Sequence, residues 1–186
     1  MLGEIFIMIE EEKKTYPIIV PENAPKQNFF ISKEFKNRVV LHIIKNYIIS
    51  DRINIPLILT IQGPKGDGKS SQTREICSQL GADVIPISGA SISGVHEGEA
   101  VDELKNVYTF ASNIQKQKKK FTVILIDDFD LSVASVFTNR EYTVNTQLIN
   151  GFLMNLADDP TRCGNERTYR IPMIFTGNDF TSVSAT

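Results

Sequence analysis

The chain has no tryptophan, and only two cysteines and two histidines in 186 residues. Cys77 and Cys163 make no disulfide framework and point to a reducing compartment. His42 and His96 stand singly, without the clustered spacing of a metal site. Neither sign of charge dominates: the net charge is -2, so no global basic field calls for nucleic acid. No apolar run is long enough to span a bilayer. The opening "MLGEIFIMIEEEKK" carries acids where a signal or transit peptide would carry basic residues. There is no internal repeat. These absences suggest a cytosolic protein or the mature form of an organellar one. With 41% hydrophobic and 23% charged residues, the length suits one domain with a real core.

Hydrophobic patterning sets the organisation. "GEIFIMIEEEKKTYPIIV" holds two β-rich runs around a charged turn and predicts a small N-terminal hairpin. "PENAPKQN" follows as a polar, Pro-rich linker, so residues 1–28 read as an extension and 29–186 as the folded domain. Phe35, Val39, Val40, Ile43, Ile44, Tyr47 and Ile48 recur at helical spacing. Four short apolar runs come next: "LILTI", "DVIPI", "FTVILI" and "PMIF". Helical stretches separate them: Lys69–Leu80, stopped by Gly81; roughly Gly98–Gln117; and roughly Thr143–Ala157. Strands alternating with helices predict an α/β fold with a parallel sheet. Strands buried on both faces explain the continuous apolar runs. Pro86 puts the second strand at a sheet edge. "KQKKK", Lys116–Lys120, reads as a solvated helix end whose cations suit the C-terminal dipole.

Between the first strand and its helix, Gly63-Pro64-Lys65-Gly66-Asp67-Gly68-Lys69-Ser70 matches G-x-x-x-x-G-K-[ST]. Glycines let backbone N–H groups turn inward onto phosphate, and the helix N-terminus adds a favourable dipole. Residues 63–70 and the adjoining Ser71 are therefore expected to bind ATP or ADP. Lys69 would reach the β- and γ-phosphates and Ser70 would ligate Mg²⁺. "FTVILIDDFD" ends an apolar strand in acids at the carboxyl edge of the sheet. Asp127 is expected in the magnesium shell, and Asp128 beside the attacking water. Asp130 reads as structural. "IPMIFTGND" brings Asn178 to a strand tip as an orienter of water or a γ-phosphate sensor, with Thr176 helping to position it. Lys69, Asp128 and Asn178 are the candidate catalytic residues.

Phosphate loop, acidic strand and Asn-tipped strand, in that order, resemble the AAA+ ATPases. "FKNRVVLHIIKNY", "NIPLIL", "EYTVNTQLINGFLMNLADDPT" and "IPMIFTGNDF" are similar to the AAA+ module of Rubisco activase. The similarity runs from about Phe30 to the C-terminus and is weaker over roughly Gly81–Lys120. It implies a P-loop αβ subdomain, ATP hydrolysis with Mg²⁺, a hexameric ring and remodelling of a client, inhibited Rubisco, in bacterial cytosol or plastid stroma. No membrane partner is expected, since no apolar run spans a bilayer, and the net charge does not call for a nucleic-acid one. "GASISGVHEGE", Gly89–Glu99, and "LSVASVFTNRE", Leu131–Glu141, fall where the family's two pore loops lie; ordinary connections are the alternative.

The pattern also departs from the family. The pore-loop segments differ in sequence, and residues 1–28 do not resemble the activase recognition domain. The chain stops at "TSVSAT", where the family continues into an arginine finger and a helical lid. An αβ half without its lid is the resulting expectation. Arg140, Arg162, Arg167 and Arg170 remain, none at the family's finger position. Three alternatives stay open: an AAA+ machine with another protein or nucleic-acid client, a P-loop small-molecule kinase, and an assembly module that binds ATP with little hydrolysis. The last draws on Asp128, which is one methylene shorter than the Glu of most AAA+ enzymes.

Overall fold

A computed structural model describes residues 14–23, 30–48, 53–92, 98–129, 140–178 and 180, leaving out the side chains of residues 140–146. Four parallel strands form its central sheet: β1 (Ile58–Gln62), β2 (Asp83–Ser88), β3 (Thr122–Asp127) and β6 (Met173–Gly177), in the order β1-β6-β3-β2. The principal helices are α1 (Lys33–Ile48), α2 (Lys69–Leu80), α4 (Glu99–Lys118) and α5 (Arg140–Asp158). A single-turn helix α3 (Gly89–Ile92) follows β2, and a two-stranded hairpin, β4 (Arg162–Cys163) with β5 (Glu166–Arg167), follows α5.

The alternation of side chains along each strand divides the core into two layers. Ile85, Ile87, Ile124, Ile126, Met173 and Phe175 face α4 and α5, where they meet Leu104, Val107, Tyr108, Ile149, Leu153 and Leu156. Val84, Val123, Leu125 and Ile174 face the other way, onto Val39, Ile43, Ile76 and Cys77 of α1 and α2. The expected α/β architecture is therefore present, with β3 and β6 buried along nearly their whole length because both faces are covered, and the edge strand β1 only half-buried. Helix α2 ends as its sequence predicts. Gly81 takes φ +76°, and the N–H groups of Gly81 and Ala82 close onto Ser78 O and Cys77 O at 3.0 and 2.9 Å.

Strand β2 lies at the sheet edge, as Pro86 requires. Its outer side carries one antiparallel bridge: Ile19 and Val84 exchange N–H···O bonds of 2.8 and 2.9 Å. The second run of the expected N-terminal hairpin thus pairs with β2. The first run lies outside the described residues, as do Ala24–Phe29 of the linker. Tyr16 reinforces the strap by packing edge-on against Phe110, ring centres 5.3 Å apart. Three side chains depart from the sequence reading. Ile48 and Leu148 share the apolar phase of their helices yet are exposed, and Cys163, set in the polar stretch "DDPTRCGN", is buried in the core.

Candidate functional site

The carboxyl ends of β1, β3 and β6 converge because β6 lies between the other two. The loop Gly63–Gly68 leaves β1 and enters α2. Gly66 and Gly68 take φ of +90° and +73°, a left-handed backbone that side chains disfavour. The helix begins at once, with Gln72 N–H bonding Gly68 O at 2.8 Å, and the first N–H groups of an α-helix lack partners within it. Pro64, Lys65, Gly66 and Asp67 are exposed, while Lys69, Ser70 and Ser71 are half-buried. Lys69 Nζ donates to Gly63 O at 2.7 Å and Pro64 O at 2.9 Å, and lies 3.5 Å from Asn178 Oδ1. The loop lysine and the tip of β6 therefore meet at the mouth of the loop.

Behind the lysine lies a triangle of oxygens. Ser70 Oγ donates a short hydrogen bond to Asp127 Oδ1. Thr176 Oγ1 donates to the same oxygen at 2.5 Å and lies 3.2 Å from Ser70 Oγ. Two hydroxyls and one carboxylate make a hard-oxygen donor set of the kind Mg²⁺ prefers. Among the described residues, no group of three or more His, Cys, Asp or Glu side chains is placed to hold a metal ion. The donor set fits a cation that keeps several waters rather than one caged by protein.

Asp128 follows, exposed, with φ of +52°. Its backbone packs against Gly89 at the end of the neighbouring strand: a Cβ there would meet Asp128 C at 2.7 Å and Phe129 Cα at 2.9 Å. This close approach is written in no motif, and Thr176, expected to help position Asn178, bonds the Asp127 carboxylate. Arg74 likewise belongs to no motif. Its Nη2 lies 3.4 Å from Asp127 Oδ2, and the available signal was its i+4 spacing from Ser70.

The other expected residues fall elsewhere. Arg170 is held inside the fold, with Nε donating to Asn46 Oδ1 at 2.7 Å and Nη2 donating to Ile55 O. Arg162 and Arg167 pair across the β4–β5 hairpin, between α5 and the amino end of β6. Residues 93–97 of the first pore-loop segment, including His96, lie outside the described residues. So do residues 131–139 of the second, Asp130, and the side chain of Arg140.

A phosphate-type loop between a parallel strand and a helix, with an acid and an Asn on adjacent strand tips, defines a P-loop nucleotide-binding fold. Residues 59–186 match the ATPase family associated with various cellular activities (AAA), and the chain belongs to that family. Among curated relatives it is 36% identical over 166 residues to the chloroplastic ribulose bisphosphate carboxylase/oxygenase activase of Phaseolus vulgaris, covering 86% of this chain and 37% of that protein. It is 34% identical over 164 residues to the activase of Anabaena sp., covering 85% and 40%. The chain thus spans well under half the length of these relatives. Among solved structures, a chain in the E. coli MS115-1 HORMA:CdnC:Trip13 complex aligns with a TM-score of 0.56 at 15% identity, covering 81% of this chain and 56% of that one. That likeness concerns the fold alone. Among the described residues, no helix is long and apolar enough to cross a membrane.

Proposed function

We propose that this chain is the nucleotide-binding αβ subdomain, residues 29–186 preceded by an N-terminal extension, of an ATP-hydrolysing remodelling protein of the Rubisco activase type. The observation that carries this reading is the meeting of Lys69, Ser70, Asp127 and Asn178 at one end of the sheet. Residues 63–71 hold the phosphates of ATP or ADP. Lys69 exchanges its loop carbonyls for phosphate oxygens, and Asn178, beside it, senses the γ-phosphate. Ser70 and Asp127 hold Mg²⁺, with Thr176 fixing the carboxylate; the cation's chemistry there is to neutralise phosphate charge. Asp128 polarises the attacking water.

The client, inhibited Rubisco, the hexameric ring and a stromal or cytosolic location rest on the activase relatives and are proposed with the rest. Calorimetry with ADP tests the site. Lys69→Ala should lose most of the affinity, because a charge-assisted contact to phosphate disappears. Equal affinity in wild type and variant would remove the phosphate-loop assignment. ATP-dependent release of a sugar-phosphate inhibitor from Rubisco by the full-length protein tests the client. Turnover without release would leave an AAA ATPase with another client.

A further inference from the structure

The oxygen site carries a cation of its own. Ser70 and Arg74 are four residues apart on α2 and so share one face of the helix. Both side chains reach the same carboxylate from opposite oxygens. Ser70 and Thr176 donate to Asp127 Oδ1, while Arg74 Nη2 lies 3.4 Å from Oδ2. The Arg74 side chain is 37% exposed, yet its Nε is buried without a hydrogen-bond partner. A buried, unsatisfied N–H is a cost that a merely structural ion pair would be expected to avoid.

We infer that Arg74 is a built-in counter-cation for Asp127 that competes with Mg²⁺ and sets the magnesium concentration at which nucleotide is held with metal. The inference rests on the nucleotide site proposed above. Arg74 acts through Asp127 and is a positioning residue. The physical reason is charge. The guanidinium is always protonated, so the Asp127 carboxylate already faces a positive charge before any divalent ion approaches. A divalent ion bound by Ser70 and Asp127 must then sit close to a fixed positive charge. Removing a unit charge beside a divalent site that water reaches changes cation affinity on the order of ten-fold.

The test is isothermal calorimetry of the full chain with ADP, first in EDTA and then across a series of free Mg²⁺ concentrations. Wild type, Arg74→Gln, Arg74→Met and Arg74→Lys are compared, and circular dichroism confirms that each is folded. The half-saturating Mg²⁺ concentration should fall about ten-fold in Arg74→Gln and Arg74→Met. In Arg74→Lys it should stay near the wild-type value, since the charge remains. Raising KCl should narrow the gap between wild type and the neutral variants, because salt screens a charge that water reaches. Binding of ADP by all four proteins with unchanged or higher Mg²⁺ requirements in both neutral variants would overturn the counter-cation role and leave the nucleotide site standing. A Lys variant that behaves like the neutral ones would overturn it too, since packing and not charge would then be the cause. A wild-type protein that binds no ADP under either condition would overturn both readings together.

Discussion

The backbone of Asp128 lies against the α-carbon of Gly89, so closely that a Cβ at residue 89 would stand 2.7 Å from the Asp128 carbonyl carbon. Asp128 reaches this position with a left-handed φ of +52°. Register explains the contact: Ser88 and Asp127 are partners across β2 and β3, so the residues after them leave the sheet side by side. Gly89→Ala should push Asp128 out of place. Forcing an extra methyl against fixed backbone costs about 1–3 kcal/mol. Thermal denaturation should show that loss, and ATP turnover in the full-length protein should fall with it. An unchanged melting temperature with unchanged turnover would mean that the turn adapts freely.

Asp128 itself is predicted to matter for chemistry and not for binding. Asp128→Asn keeps the shape of the side chain and loses the negative charge that, in the proposed role, polarises water. Turnover in the full-length assembly should fall on the order of 10²–10⁴-fold, the usual range for a general base. Calorimetry should show magnesium–nucleotide affinity close to wild type. Unchanged turnover would transfer the role to another residue.

His42 makes stability depend on pH. Burial lowers its pKa from 6.5 to about 4; the hydrogen bond to Met173 O opposes the shift and the Arg170 charge adds to it. A carbonyl only accepts, so Nε2 carries a hydrogen, and the lowered pKa keeps the ring neutral near pH 7. Above pH 6.5 the ring is neutral in both folded and unfolded chains and contributes no pH dependence. Between pH 6.5 and 4 the unfolded chain takes up a proton that the folded one refuses, so stability falls as pH falls. The full shift corresponds to roughly 3 kcal/mol. Urea denaturation of wild type and His42→Gln at pH 7 and pH 4.5 should show a smaller acid loss in the variant. Parallel curves would mean that His42 is not the titrating group.

Lys118 is the one lysine of the "KQKKK" run predicted to matter for stability. Its Nζ lies 2.9 Å from Asp83 Oδ2, and the Asp83 side chain is fully buried with Oδ1 unpaired. Lys118→Met would leave that carboxylate without its counter-charge. Breaking a buried pair costs about 3–5 kcal/mol, and partial exposure of Lys118 reduces the expectation to about 2 kcal/mol. Lys120, paired with Glu22 in open solvent, should be replaceable with little change. Equal destabilisation by the two substitutions in chemical denaturation would contradict this ranking.

Much of the molecule was legible in local sequence because its signals are local. The Gly-Lys-Ser turn, the stop at Gly81 and the four apolar runs depend on residues a few positions apart, and each forms as read. Pro86 placed β2 at an edge because a missing N–H is a property of one residue. The arrangement across strands was not legible. Nothing in "FTGND" says that Thr176 shares an oxygen of Asp127 with Ser70; that follows from β6 lying between β1 and β3. The pairing of Lys118 with Asp83, the burial of Cys163 beneath α4 and the contact of Gly89 with Asp128 likewise join residues far apart in the chain. Strand order and register decided these contacts. Short-range periodicity shows that a strand is buried, but which strand becomes its neighbour depends on how two layers of helices close over the sheet.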